Sequence, residues 1–304
     1  MMPWVKSMGP VRGRMAVLAG LLAAGALSFA LAAQGRDQPR TGASSFVPVP
    51  RKIVSLNLCA DQYLLALADR GQIAGLTLNA VDPDMSAAAA QARGLRILGP
   101  SAEEVLAIGP DLVVGMPARG SAVMTALKSQ DYPALDLRMA DSFAAIADQT
   151  RAVARAVGHP GRGDALVARM AGDLAALDRP GGGRVAAYYQ RRGYLTGTGT
   201  LVDDLMRRVG LVNLADRLGK PPLSRLSIEE LVAARPDFLI VEAASDRVRD
   251  QGTEMLHHPA LRDIPRLRLP EAWTVCGGPA YVRAAQSLVA QIEAAPIEGK
   301  GRAQ

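Results

Sequence analysis

The sequence predicts an α/β protein with two Rossmann-like lobes, each built on a parallel central sheet, joined by one long α-helix. Apolar runs of strand length alternate with helical stretches in both halves of the chain, which is typical of parallel α/β layers. The repeated phrase, PSAEEVLAIGPDLVVG (100–115) in the first half and the similar segment LSIEELVAARPDFLIVE (226–242) in the second, predicts the same helix–turn–strand unit in both halves. Between them, residues 142–178 have a wholly helical pattern.

The N-terminus predicts export. A basic segment precedes the apolar stretch 15–33, which ends in the small-residue motif Ala30-Leu31-Ala32. Residues 1–32 are therefore expected to be a cleaved secretory signal peptide, with an uncleaved membrane anchor as the alternative. Residues 33–49 are expected to be a flexible segment. Loss of the signal peptide lowers the formal net charge from +6 to +3, which is too weak to indicate nucleic-acid binding.

The N-terminal lobe is predicted to span residues 50–158. It begins with a strand and alternates with helices, and the first copy of the repeated phrase supplies a buried strand. The predicted elements are a strand at 51–58, a helix at 59–68, a strand at 72–78, a loop with a polar helix at 79–94, and a strand at 111–115.

The linking helix is predicted over residues 159–180. Gly158 and Pro160 interrupt the helical pattern, and an unbroken helix then runs from about Asp164 to the glycines that follow Pro180. The C-terminal lobe is predicted at 181–295 and a disordered tail at 296–304. The predicted elements of this lobe are a strand at 184–190, the second copy of the phrase, weak strands near RLRL (266–269) and WTVC (273–276), and a helix at 280–294.

The repeated phrase has a direct physical interpretation. Ser101 and Ser227 are predicted helix N-caps, and carboxylates in the first turn suit the positive end of a helix. The Pro-Asp pair then stops each helix, because the residue before proline is disfavoured in the α conformation. Taken by themselves, Glu103 and Glu229 are interpreted as complementing the helix dipoles.

Loops after the strands supply the candidate ligand-binding residues, because ligands of open α/β sheets bind outside the carboxyl ends of the strands. An ordinary loop or packing role is the alternative for each of them. Trp273, the only tryptophan after the signal peptide, has an aromatic face that suits a flat organic ligand. The candidates are Asn57, Leu58, Cys59, Asp82, Met116, Arg119, Tyr189, Arg191, Tyr194, Trp273, Cys276 and Tyr281.

The two cysteines, Cys59 and Cys276, fall on cleft loops of opposite lobes. Three possibilities stay open: a disulfide formed in an oxidising compartment, two free thiols that contact a soft metal or a cofactor, or two small buried apolar residues. A disulfide would restrain opening of the lobes unless both cysteines lie near the hinge.

The histidines argue against a site for a bare metal ion. His159 lies in the helix break and His257-His258 are neighbours, whereas Zn or Mn needs several ligands that converge from both lobes. No metal site is predicted. An exported α/β hydrolase or metal-dependent enzyme is the alternative class of protein. The absence of a G-x-S-x-G pentapeptide and the few histidines count against it.

The ordered set of segments resembles the periplasmic substrate-binding proteins of ABC importers, in the branch whose two lobes are joined by one long helix. The resemblance covers about residues 50–295. The segments that carry it are RKIVSLNL (51–58), SAEEVLAIGPDLVVG (101–115), the helix at 164–178, YLTGTGTLVDDLMRRVGLVN (194–213), LSIEELVAARPDFLIVE (226–242) and WTVCGGPAYVRAAQSL (273–288).

The resemblance implies a monomeric, periplasmic solute-binding component without enzymatic activity or a resident cofactor. It implies capture of a metal chelate, either an iron-siderophore or a corrinoid such as cobalamin, in the cleft between the lobes. It also implies that Glu103 and Glu229 dock into arginines of the inner-membrane permease, because a carboxylate accepts a bidentate arginine.

The chain departs from the cobalamin binders of that family, which line the cleft with large aromatic residues. The corresponding places here are Leu98, Met116 and Leu223, while Tyr194 and Trp273 remain aromatic. This favours a smaller chelate or a looser corrinoid fit, and it adds Leu223 to the candidate ligand-binding residues. Four arginines could neutralise an anionic chelate: Arg119, Arg191, Arg192 and Arg283.

Overall fold

The computed structural model describes residues 48–248 and 250–295. The predicted signal peptide at 1–32, nearly all of the predicted flexible segment at 33–49 and the predicted tail at 296–304 lie outside the described residues. Within the described part of the chain, no helix combines the length and the apolar character needed to cross a membrane.

The first lobe is a five-stranded sheet with helices on both faces. Its strands are β1 (Ile53–Ser55), β2 (Ile73–Thr77), β3 (Ile97–Leu98), β4 (Leu112–Gly115) and β5 (Ala134–Asp136), and its helices are α1 (Leu58–Leu67), α2 (Ala89–Ala92), α3 (Ala102–Ile108) and α4 (Ala122–Ala126). All strand pairs are parallel, in the order β3-β2-β1-β4-β5. Ile53 packs in the cluster that includes α1, and the next residue, Val54, packs in the cluster that includes α3.

The predicted first strand, at 51–58, is too long. Strand β1 ends at Ser55, and α1 begins at Leu58 because the Asn57 side chain accepts a hydrogen bond from Ala60 N at 3.0 Å. The sequence pattern also misses β3, since two residues are too few to show a periodicity.

A helical hairpin follows the first sheet, formed by α5 (Phe143–Ala156) and α6 (Pro160–Ala175). Helix α6 begins at Pro160, before the expected start near Asp164, because proline is well suited to the first helical turn. The hairpin contributes to both lobes. Ile146 belongs to the apolar cluster of the second lobe, Val153 to that of the first, and Leu166 packs against both.

The second lobe is a six-stranded sheet in which parallel pairs dominate. Its strands are β6 (Val185–Gln190), β7 (Tyr194–Thr196), β8 (Val212–Asn213), β9 (Leu223–Arg225), β10 (Phe238–Glu242) and β11 (Arg266–Leu269), and its helices are α7 (Leu201–Arg208), α8 (Leu214–Arg217), α9 (Ile228–Ala234), α10 (Gln251–Glu254), α11 (Glu271–Thr274) and α12 (Tyr281–Ala294). The order is β11-β10-β6-β7-β9, with β8 beside β6. Strand β7 is antiparallel to β6 and β9. The expected strand at WTVC is wrong, because this stretch overlaps α11 and the turn after it.

The repeated phrase forms the same unit in both lobes. The hydroxyl of Ser101 caps α3 and that of Ser227 caps α9, as predicted. The aspartate after the proline has a further role. Asp111 accepts hydrogen bonds from the backbone of Arg51 and Lys52, and Asp237 accepts one from Val185. In each lobe this carboxylate therefore connects two neighbouring strands by hydrogen bonds: β4 with the residues before β1 in the first lobe, and β10 with the start of β6 in the second.

Candidate functional site

A cavity of about 590 Å³ lies at the carboxyl ends of the first sheet. The segments that follow β1, β2, β3 and β4 form most of its wall, which is the expected ligand position for an open parallel sheet. Val275 and Cys276 of the second lobe complete the wall. The lining is mostly apolar, with Leu58, Leu98 and Met116 among its members.

A second cavity, of about 350 Å³, lies at the carboxyl ends of the second sheet. Gln190 ends β6, Glu242 ends β10, and Glu271 follows β11, and all three line this cavity. The segment between β5 and α5, which includes Asp141, forms the opposite wall. Val275 lines both cavities, so the two meet there, and together they are called the cleft.

The two lobes are covalently joined at the cleft. Cys59 at the start of α1 and Cys276 in the loop before α12 form a disulfide, with Cα atoms 5.3 Å apart. Of the three possibilities for the cysteines, the structure therefore shows the disulfide. The buried Tyr63 of α1 also donates a hydrogen bond to the carbonyl of Gly277, at 2.5 Å. Burial raises the pKa of Tyr63 to about 12, so its hydroxyl stays protonated and able to donate.

The predicted ligand-binding residues are only partly gathered in the cleft. Those that line the first cavity are Asn57, Leu58, Cys59, Met116 and Cys276. Their common feature is position: each lies directly after a strand of the first sheet or in the loop that crosses to it. None of the other predicted residues lines either cavity.

Two predicted ligand-binding residues are corrected by their burial. Tyr189 is fully buried and donates a hydrogen bond to Leu226 O at 2.8 Å; burial raises its pKa to about 12. Tyr281 is also fully buried, where it stacks on Phe143 at 5.9 Å and hydrogen-bonds Asp204. Both tyrosines are core residues of the second lobe.

The remaining predicted residues have other partners. Arg119 is paired with Asp136, and Arg191 with Asp250. Asp82 accepts a hydrogen bond from Asp84 N in its own turn. The guanidinium of Arg225 lies 5.2 Å from the ring centre of Tyr194, and Leu223 is exposed on β9. Trp273 packs against the core of the second lobe, between the cavity-lining Glu271 and Thr274.

Four residues that line the second cavity were not predicted from the sequence: Asp141, Tyr188, Glu242 and Glu271. A signal for Glu242 was present, because this residue ends the apolar strand of the second repeat. Burial, and then the negative charge of Glu271, raise the pKa of Glu242 above its ordinary value. The acidic side of the cleft thus holds two carboxylates that repel each other.

Glu103 and Glu229 occupy equivalent places outside the cleft. Each is exposed in the first turn of a helix, α3 or α9, that follows a strand pointing toward the cleft-side edge of its sheet. Hydrogen bonds lower the pKa of both carboxyls: first from Ser101 for Glu103, and first from its own backbone N–H for Glu229. Neither glutamate lines either of the two cavities.

The chain belongs to the periplasmic binding protein family, whose model matches residues 53–268. No curated protein matches the sequence. Solved structures establish the same two-lobed α/β fold. The apo periplasmic heme-binding protein RhuT from Roseiflexus sp. RS-1 has a TM-score of 0.62 at 24% identity, covering 80% of this chain and 97% of that one.

Two further structures share the fold. A possible iron-binding, periplasmic solute-binding protein from Staphylococcus epidermidis has a TM-score of 0.67 at 16% identity, over 81% of this chain and 99% of that one. The vitamin B12 binding protein BtuF of Vibrio cholerae has a TM-score of 0.59 at 16% identity, over 81% of this chain and 98% of that one.

Proposed function

We propose that this protein is the periplasmic solute-binding component of an ABC importer, which captures a metal chelate in the cleft and delivers it to the membrane permease. The chelate is an iron-siderophore or a corrinoid of the cobalamin class. The observation that carries the proposal is the cleft itself: two cavities at the carboxyl ends of two sheets, which meet at Val275.

The comparisons support a chelate as the ligand class. The structures that share this fold include a heme-binding protein and a vitamin B12 binding protein, both of which take metal-containing organic molecules. A bare metal ion fits less well. Within residues 48–248 and 250–295, no group of three His, Cys, Asp or Glu residues is placed to hold one.

The mechanism follows from the join between the lobes. The Cys59–Cys276 disulfide and the Tyr63–Gly277 hydrogen bond hold the lobes together beside the first cavity. A ligand therefore enters a largely formed cleft, and closure involves small movements of the rims rather than a wide hinge motion. The loaded monomer then presents Glu103 and Glu229, one from each lobe, to arginines of the permease.

The alternative class, an exported α/β hydrolase or metal-dependent enzyme, has no support from the comparisons. The family is one of binding proteins, and each solved structure described above is a binding protein. The protein is proposed to carry no resident cofactor, the metal being part of the transported ligand.

Equilibrium dialysis of the mature chain tests this function. The probes are a ferric trihydroxamate, hemin and cyanocobalamin, each measured against native protein and two variants. Val275→Trp places a bulky side chain where the cavities meet, and Val232→Trp is its control on α9. The two valines are 40% and 38% exposed, so the substitutions disturb the fold to a similar extent. We expect one probe to bind both the native protein and the control, and to be recovered without chemical change. Binding of that probe should be lost in Val275→Trp. Failure of both the ferric trihydroxamate and cyanocobalamin to bind, whether or not hemin binds, would contradict the proposal.

A further inference from the structure

The lining of the cleft carries charge of one sign. Among the described residues that line the two cavities there is no lysine, arginine or histidine. None of the described residues that line the first cavity is charged. The second has three carboxylates, those of Asp141, Glu242 and Glu271. The four arginines that the sequence suggested as partners of an anionic chelate line neither cavity.

Among the described residues, none supplies a paired cation for these carboxylates. In the described part of the chain, no basic side chain forms an ion pair within 4.0 Å of any of the three. Glu242 accepts a weak hydrogen bond from Gln190, at 3.5 Å. Arg191, whose charge acts on Glu242 from a distance, is itself bound to Asp250. Partly buried carboxylates that repel each other are unfavourable until a cation arrives.

A second observation points to a ligand with an apolar body. Three large apolar side chains of the cleft lining are open to solvent: Leu78 is 62% exposed, Met139 84% and Val275 40%. Exposed apolar side chains gathered around one concavity mark a surface that a bound molecule covers. The carboxylates are not placed to hold a bare ion, so the positive charge has to belong to a larger molecule.

We infer that the ligand is amphipathic and cationic: a largely apolar, neutral chelate body occupies the first cavity, and an ammonium or guanidinium group reaches Glu242 and Glu271 in the second. This inference rests on the proposed function and narrows its ligand class. Chelates whose outer groups are carboxylates are excluded, because they would bring negative charge to an acidic wall without a cation to receive it.

A charge series on one chelate body tests the inference. The probes are the iron(III) complex of desferrioxamine B, whose chain ends in an ammonium group, its N-acetyl derivative, which is neutral, and its N-succinyl derivative, which ends in a carboxylate. Equilibrium dialysis at low salt gives the three dissociation constants. We expect the ammonium form to bind about tenfold more tightly than the neutral form, and the succinyl form to bind most weakly.

Two matched double variants locate the effect. Glu242→Gln/Glu271→Gln removes the two carboxylates assigned to the cationic group, leaves Asp141 in place and keeps the shape of both side chains, so the preference for the ammonium form should fall to about twofold or less. Glu254→Gln/Glu293→Gln removes the same net charge from exposed positions on α10 and α12, and the preference should persist. A higher salt concentration should weaken the preference in the native protein.

Equal binding of the three forms, tighter binding of the succinyl form, or a preference that survives Glu242→Gln/Glu271→Gln would each overturn the inference while the proposed function stands. If cyanocobalamin and all three ferric complexes fail to bind, the proposed function has failed, and the inference fails with it.

Discussion

Cys59 and Cys276 are 217 positions apart in the sequence and bonded in the structure, and their bond joins the first lobe to the second. Gly277, next to Cys276, also contacts the first lobe, because its carbonyl oxygen accepts a hydrogen bond from the Tyr63 hydroxyl. The backbone of Gly277 lies against Ala140, in the segment that follows β5. One side of the cleft is therefore joined by both a covalent bond and a hydrogen bond.

Removing the disulfide should destabilise the protein. Cys59→Ser/Cys276→Ser frees a long loop in the unfolded chain, and we expect the free energy of unfolding to fall by about 2–5 kcal/mol. Urea denaturation of the native protein and the variant measures the difference. A reducing agent should lower the stability of the native protein and leave the variant unchanged. Equal stability of the two proteins would show that the bond is absent or contributes nothing.

The close packing at Gly277 can be tested by comparing an alanine substitution there with the same substitution at the neighbouring Gly278. A Cβ atom at Gly277 would lie 2.5 Å from the Cβ of Ala140 and 2.9 Å from its carbonyl oxygen. A Cβ at Gly278 would have only Cys276 O nearby, at 4.0 Å. We expect Gly277→Ala to lower the free energy of unfolding by about 1–3 kcal/mol and Gly278→Ala to change it by less than about 0.5 kcal/mol. Similar values for both variants would contradict the packing described for the join.

The acidic side of the cleft predicts a pH dependence of stability. Burial and the nearby Glu271 raise the pKa of Glu242 in the folded protein, while Arg191 opposes the shift. The folded state binds the Glu242 proton more tightly than the unfolded state does. The free energy of unfolding therefore falls as the pH rises from the ordinary pKa of a glutamate through the raised pKa of Glu242 in the folded protein. Glu242→Gln removes this loss. The free energy of unfolding of the variant minus that of the native protein should therefore be larger at pH 7 than at pH 4, as measured by urea denaturation. A pH-independent difference would rule out the raised pKa.

Docking on the permease predicts a separation of binding from uptake. Glu103→Ala/Glu229→Ala should leave the dissociation constant of the chelate within about twofold, because neither side chain lines the cleft. Uptake by whole cells should fall strongly, since both lobes lose their anchor. Glu254→Ala/Glu293→Ala removes two exposed carboxylates elsewhere and should support normal uptake. Loss of chelate binding by the isolated Glu103→Ala/Glu229→Ala protein would refute the docking role.

The fold was accessible from the sequence because its signals are local. Serine caps, Pro-Asp breaks and apolar runs specify each helix and strand by neighbouring residues, and the structure confirms the two-lobed α/β class. Strand β3 and the antiparallel strand β7 were not predicted, because each is too short to show a periodicity. Each forms a strand by pairing with a neighbour that its own sequence does not indicate.

Only part of the candidate site could be predicted from the sequence. The loops after β1 and β4 line the first cavity, because the carboxyl ends of parallel strands lie at the same edge of a sheet. On β6 the choice between two adjacent tyrosines depends on register, since alternate residues of a strand face opposite sides of the sheet. Tyr188 packs in one apolar cluster and lines the second cavity, while Tyr189 packs in a different cluster. The acidic wall unites residues from β10, α11 and the segment before α5, and only the assembled fold brings them together.

Native mass spectrometry of the protein purified from the periplasm of cells that import the ligand tests the central claim most directly. The account predicts one bound chelate per chain, with the isotope pattern of iron or cobalt, in the native protein and in the Val232→Trp control. It predicts no such adduct in Val275→Trp, whose new side chain occupies the junction of the two cavities. A native protein that never carries a metal-containing adduct, or an adduct retained by Val275→Trp, would contradict it.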